Sequence, residues 1–342
     1  MRESWQARKN RIRGGWVGIT ALAVCACSAP KMDGTTLEGK AAILDTVNSA
    51  LTNKDCATAI TWADTIYNTP STDNQVRLAR ASAYGCAAGV DDFFGLIGTL
   101  PSQPLGTAAG QGSFLWRTLA KLFAVLKGDG SIDTGAMDKR ITAGWASMDA
   151  LMSTLSPGVL VSTANQFNAT TVNPGSLAAS DRTGDADLYM FLITLSQIGA
   201  IEDRYGAPDT TSFKKGQKLG QSASAPSGWE DPLMMDVYGC TYASSLLNLF
   251  DSLGGAISQM NPKLSSAATV MLGIRSVVDL ACNAGCIACG LGPSACSKCP
   301  DSLKDRNSCA VTGGVANKEA CAASGIISFI NDNTNLIGWE GP

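Results

Sequence analysis

Histidine is absent from all 342 residues of this chain. That removes the commonest general base, the commonest metal-binding side chain, and every serine–histidine or cysteine–histidine nucleophile pair. Aromatic residues make up only 6% and charged residues only 16%. No apolar run is long enough to span a bilayer, which takes about 20 residues. Basic charge is also scarce: 26 Lys and Arg stand against 29 Asp and Glu, a formal net charge of -3. Without residues 1–26 the balance is 21 against 28, or -7. An acidic chain of this kind is a poor nucleic-acid ligand. The remainder is rich in Ala, Leu and Gly with 45% hydrophobic residues, the composition of a folded chain rather than a disordered one.

The amino terminus carries most of the concentrated basic charge. Arg2, Arg8, Lys9, Arg11 and Arg13 precede an apolar stretch, Gly14 to Val24, of the length of a signal-peptide core. The stretch ends in Val24-Cys25-Ala26-Cys27-Ser28. This resembles the lipobox of bacterial lipoproteins: an aliphatic residue, a variable one, a small one, then the cysteine that is acylated. Cys27 fits the acylated place because Ala26 before it is small, whereas Cys25 follows the branched Val24. The resemblance implies cleavage before Cys27 and attachment to the lipid bilayer through acyl chains on Cys27, two or more of which hold a protein firmly. Ser28, where inner-membrane retention would take Asp, implies the outer membrane, with the leaflet left open. An ordinary secretory signal cut near Ala29 is the alternative.

Ten cysteines then remain: Cys56, Cys86, Cys240, Cys282, Cys286, Cys289, Cys296, Cys299, Cys309 and Cys321. An even set in an exported chain reads as disulfides. Residues 53–67 and 73–87 show apolar stripes at helical spacing, broken at Thr69-Pro70-Ser71. Cys56 and Cys86 lie equally far from that break, so an antiparallel hairpin brings them level and predicts a Cys56–Cys86 bridge. Seven cysteines crowd residues 282–321, with Cys240 as an eighth partner in unassigned pairing. Two sharper readings compete there. Cys282-x3-Cys286-x2-Cys289 has radical-SAM spacing without the aromatic expected before its third cysteine, and the paired CxxC spacing of Cys286, Cys289, Cys296 and Cys299 suits a tetrahedral thiolate metal such as zinc. Disulfides are preferred, and no cofactor or metal is assigned.

The rest of the chain alternates helical stripes and breaks. Helices are expected over residues 36–51, 53–70, 73–89, 114–127, 133–155, 185–205, 232–253 and 262–281, and residues 210–228 read as a loop. Asp55, Ala59 and Pro70, then Ala81 and Tyr84, resemble positions of tetratricopeptide repeats over residues 37–100, although the early Trp and the Leu-Gly pair of that family are missing. The expected organisation is a signal peptide at 1–26, a lipidated tether at 27–36, an α-helical domain at 37–281, and a cysteine-rich region at 282–342 packed on it. The fold class is all-α, built of antiparallel helix hairpins with a disulfide-rich carboxyl-terminal region.

Other constellations fall short of chemistry. Asp129, Ser131 and Asp133 alternate like calcium ligands, but Thr134 stands where a glycine is needed and Arg140 where a glutamate is needed. Ser212 and Lys215 have the Ser-x-x-Lys spacing of penicillin-binding enzymes without its companion motifs. The pairs Asp91 with Asp92 and Asp185 with Asp187 are the carboxylates an envelope-acting enzyme would use, and both also suit helix starts. The tetratricopeptide resemblance implies a non-catalytic module that binds a protein partner, in one form an accessory to a transport complex. An enzyme using carboxylates, or a thiol or metal protein using the CxxC pairs, is the alternative.

Overall fold

The computed structural model describes residues 32–67, 73–90, 121–154, 184–206, 208, 210, 219, 237–259, 265–309, 311 and 313–332. These are helical: α1 Leu37–Thr52, α2 Cys56–Tyr67, α3 Asn74–Ala87, α4 Thr134–Thr154, α5 Gly184–Gly206, α6 Val237–Gln259, α7 Ser265–Ala288 and α8 Lys318–Asp332. Two 3-10 turns, Asp301–Lys304 and Arg306–Cys309, lie between α7 and α8. The described residues contain no strand; Leu126 and Ile132 form an isolated antiparallel bridge.

Short polar side chains start the helices by occupying amides that have no intrahelical partner. The Gly39 amide donates to the Thr36 hydroxyl at 3.0 Å. The Asp73 carboxylate accepts from Gln75 and Val76 at the head of α3, and Asp133 accepts from Ala136 at the head of α4. Three helices end in the same left-handed cap. At the end of α7, the Leu291 amide reaches back to Cys286 and the Gly290 amide to Ile287, with Gly290 at φ 79°. Gly89 closes α3 in the same way, whereas Lys54 takes that position after α1 at φ 58° without being a glycine.

The helices pack in series. α1 lies on α2, α2 on α3, α3 on α4, α4 on α5 and α5 on α6; α6 then meets the 3-10 turns and α8, and α8 packs on α7. Close approach in the middle depends on missing side chains: a Cβ on Gly85 would collide with the Tyr189 hydroxyl, and one on Gly144 with the Gln197 amide oxygen. Residues 190–203 of α5 and 239–250 of α6 are buried on every face. Three of their polar side chains bond to backbone carbonyls of neighbouring segments. The Ser196 hydroxyl donates to Ala88 O at 2.7 Å, Gln197 Nε2 to Ile141 O at 2.9 Å, and the Ser244 hydroxyl to Leu303 O at 2.6 Å. Each such bond satisfies a group that would otherwise be costly to bury and fixes the register of two helices.

Five disulfides tie the chain. Cys56–Cys86 joins α2 to α3 with Cα atoms 5.5 Å apart. Cys240–Cys309 joins α6 to the second 3-10 turn, while Cys282–Cys299, Cys286–Cys296 and Cys289–Cys321 bind the end of α7 to the loop after it and to α8.

Several boundaries differ from the sequence expectation. α7 does not stop at residue 281: it runs through Cys282 and Cys286 to Ala288, and only Gly290 ends it. The division drawn at 281/282 therefore falls inside a helix. The region after it also shares the main core, since Cys296, Cys299, Leu303, Ile326, Ile327 and Ile330 are all buried in it. α6 continues to Gln259 rather than residue 253, because Gly254 and Gly255 weaken a helix without terminating it. The helix expected to reach residue 127 has ended by Phe123. Beyond it, Lys127 donates to Ser131 O and Asp133 to Val125 O around the turn at Gly130, φ 84°, so residues 125–133 form a small hairpin. Residues 114–120 and 231–236 lie outside the described residues.

Candidate functional site

Two places combine unusual chemistry with defined geometry. The first is a set of buried charges. Arg80, 1% exposed, pairs through Nε with Asp64 at 2.8 Å while its guanidinium lies 4.3 Å from the Tyr67 ring centre and 4.7 Å from that of Tyr84. The Tyr84 hydroxyl donates to the other Asp64 oxygen at 2.8 Å. Further into the stack, burial pushes the Asp149 carboxyl up to about 7, with Asp305 adding to the shift and Arg80 and Arg306 opposing it. Burial likewise pushes Asp203 up to about 9 against the pull of Arg140. Neither Asp203 oxygen has a hydrogen-bond partner among the described residues. The Arg306 guanidinium lies 4.9 Å from the Trp145 ring, and burial lowers it to about 10.

Shifted carboxyls often mark active sites. Here Asp149 is 0% exposed and Asp203 1%, so both are shut away from any substrate. Asp203 keeps its proton at neutral pH and Asp149 titrates near it, each enclosed within the stack.

The second place is the outer face of α7 where it meets α8. Gly285 and Gly325 let the two helices touch backbone to backbone: a Cβ on Gly285 would collide with the Cys321 carbonyl and lie 2.7 Å from Gly325 Cα. One turn further along, Cys289–Cys321 locks the crossing. Because the floor is made of small residues, the crossing leaves an open groove of about 640 Å³, walled by Val277, Leu280, Ala284 and Ala288 on α7 and by Ser328, Phe329 and the charged Asp332 on α8. Beside it Leu280, Ile287 and Leu291 are 69%, 48% and 42% exposed. Residues 280–291 contain no charged side chain. An apolar face bordered by polar and charged groups is the character of a docking surface.

No family, curated sequence or solved structure matches this chain.

The residues singled out in the sequence fall apart in space or into local roles. Cys27, Asp91, Asp92, Ser212 and Lys215 lie outside the described residues, as does the side chain of Asp185. Asp187 is buried in the first turns of α5. Asp129 accepts from the Ser131 amide and hydroxyl and so closes the hairpin, and Asp133 caps α4. The four cysteines of the paired CxxC motif belong to three different disulfides. Sequence reasoning missed the exposed face because Leu280 read as core of a helix ending at residue 281, while Ile287 and Leu291 fell in the region read as stapled by disulfides. The signal that marks them is the uninterrupted lack of charge from 280 to 291.

Proposed function

We propose that this chain is an envelope lipoprotein, acylated at Cys27 and held at the outer membrane, that acts as a non-catalytic binding or scaffolding module. The observation that carries the reading is the exposed apolar face of α7 at the end of the helix stack. α1, which comes directly after the proposed anchor, is at the opposite end of that packing order. An anchor at one end and a docking face at the other suit a protein that presents a partner to the membrane or to a membrane complex. The tetratricopeptide resemblance of residues 37–100 supports the same class, since stacked helix pairs of that family serve as protein-binding scaffolds. Among the described residues no helix is long and apolar enough to cross a membrane.

The anchor is tested by intact mass of membrane-extracted protein. A chain starting at Cys27 with acyl groups added, and ten cysteines alkylated only after reduction, is the expected result; an unacylated mass removes the anchor. Docking is tested by affinity capture from envelope extracts with wild type and a Leu280→Glu, Ile287→Glu double variant. A stoichiometric protein held by the first and lost by the second supports the reading, and equal capture by both overturns it.

A further inference from the structure

We infer that Cys289–Cys321 is the exchangeable one of the five disulfides. In the folded protein an external dithiol opens it by attack on the Cys289 sulfur, and the opening unties α8 from the cysteine-rich end. The inference goes beyond the docking reading and does not rest on it.

Access divides the bridges first, because exchange needs a path for a thiolate to one of the two sulfurs. Cys240, Cys282, Cys286, Cys296, Cys299 and Cys309 are each 4% exposed or less, so three bridges are closed at both ends. In the other two, one partner is buried and the other only half-buried. Cys289 is joined to Cys321 at 0% exposure, and Cys56 to Cys86 at 6%. The surface around Cys289 is open: Ile287 and Ala288 are exposed, and a Cβ on Gly290 or Gly292 would meet nothing within 4 Å.

Helix polarity then separates the two reachable bridges. The leaving sulfur departs as a thiolate, and it leaves faster the lower its pKa. The amino end of a helix stabilises that charge and the carboxyl end opposes it. Cys289 directly follows the last residue of α7, its amide bonded back to Gly285 O at 3.0 Å. Cys321 closes the first turn of α8, and its Cα–Cβ bond tilts back toward the start of that helix. Attack on the reachable Cys289 therefore expels Cys321 at the positive end of α8. Glu319, the carboxylate of that turn, is engaged by the Ser302 hydroxyl. Cys56–Cys86 has the reverse polarity: the reachable Cys56 opens α2, and the sulfur that would leave, on Cys86, lies at the carboxyl end of α3. Access and polarity agree at Cys289–Cys321 and conflict at Cys56–Cys86.

In the exchange the reductant thiolate bonds to Cys289 Sγ as the S–S bond breaks, and Cys321 leaves with the electron pair and takes up a proton. The second thiol of the reductant displaces Cys289 from the mixed disulfide, and Cys289 takes up a proton in turn. Two electrons pass to the bridge, and the dithiol ends as a disulfide. Cys321 is the only cysteine of α8. Once it is free, Cys282–Cys299 and Cys286–Cys296 still tie α7 to the loop after it, while α8 keeps only non-covalent contacts with α7 and α6. The redox state of this bridge thus sets how firmly α8 is held at its crossing with α7.

The test is graded reduction of the folded full chain with dithiothreitol, without denaturant. Existing thiols are blocked first; new ones are trapped with N-ethylmaleimide and located by peptide mass. Cys289 and Cys321 should appear together, about tenfold or more faster than Cys56 and Cys86, with the six buried cysteines later still. With the monothiol glutathione in place of dithiothreitol, the mixed disulfide should be trapped on Cys289. Hydrogen exchange of the singly opened protein should rise about a hundredfold in the α8 amides and stay as it was in α1. Another bridge opening first, all bridges opening together, glutathione found on Cys321, or α8 amides that exchange as in the oxidised protein would each overturn the inference.

Discussion

Replacing Asp203 with Asn should change the pH dependence of stability more than the stability itself. Asp203 sits in α5 at 1% exposure, and burial raises its carboxyl from an ordinary 3.8 to about 9. The folded protein therefore keeps a proton that the unfolded chain releases above about pH 4. This contribution is fully present below the unfolded value and is lost as pH rises toward 9. The loss amounts to at most about 1.4 kcal/mol per pH unit, or on the order of 4 kcal/mol between pH 5 and pH 8. Asn keeps the shape of the neutral acid and has no proton to lose. Urea unfolding at pH 5, 6, 7 and 8 should show wild type and variant within about 1 kcal/mol at pH 5, where the amide adds one more buried donor. At pH 8 the variant should be more stable by about 2 to 4 kcal/mol. Asp149, raised by burial to about 7, slopes both curves alike below that pH and so cancels from the difference. Parallel curves for the two proteins would show that Asp203 is ionised in the fold and would refute the reasoning.

Lys54 holds a left-handed backbone at φ 58°, so Lys54→Gly should raise stability by about 1 kcal/mol in thermal or urea unfolding. Removing the carboxylate partner of Arg80 with Asp64→Ala leaves a guanidinium buried between two rings, and a loss of about 3 kcal/mol is expected by urea unfolding. Gly285→Leu forces apart two helices that touch through their backbones; a loss of about 3 kcal/mol or more should appear, with the larger share in the α7–α8 amides monitored by hydrogen exchange.

The sequence was most legible where one helix face repeats in a stripe. The helices around residues 37–52, 56–67 and 134–154 lie within a few residues of their expected bounds because capping residues and breaks bracket apolar periods. The level placement of Cys56 and Cys86 came from the turn between them. α8 was missed although Ala320, Ala323, Ser324, Ile327, Ile330 and Asn331 recur at helical spacing after Asn317, whose side-chain carbonyl caps Ala320. The density of cysteines drew attention to staples and away from that period. The Asp149 and Asp203 carboxyls illustrate a different limit. Their environments come from helices far away in the chain, and no local pattern in one helix states what will cover it. The candidate face was hidden for the opposite reason: an apolar stripe looks the same whether its neighbour belongs to the same fold or lies outside it.

The disulfide connectivity makes demands on biogenesis. Cys282–Cys299 encloses Cys286–Cys296, Cys289–Cys321 crosses both, and Cys240–Cys309 must wait for 69 residues of chain before it can close. A polypeptide oxidised as it emerges, each new thiol pairing with the last, would join Cys240 to Cys282 and Cys286 to Cys289, which are all wrong partners. Eight cysteines admit 105 pairings, and this one cannot be reached by capture in order of appearance. Bridges closed in that order would have to be reopened by thiolate exchange before the native set could form. Oxidation of the reduced, unfolded chain with no free thiol to reshuffle its bridges should leave Cys56–Cys86 closed and the far end scrambled, as read by peptide mapping.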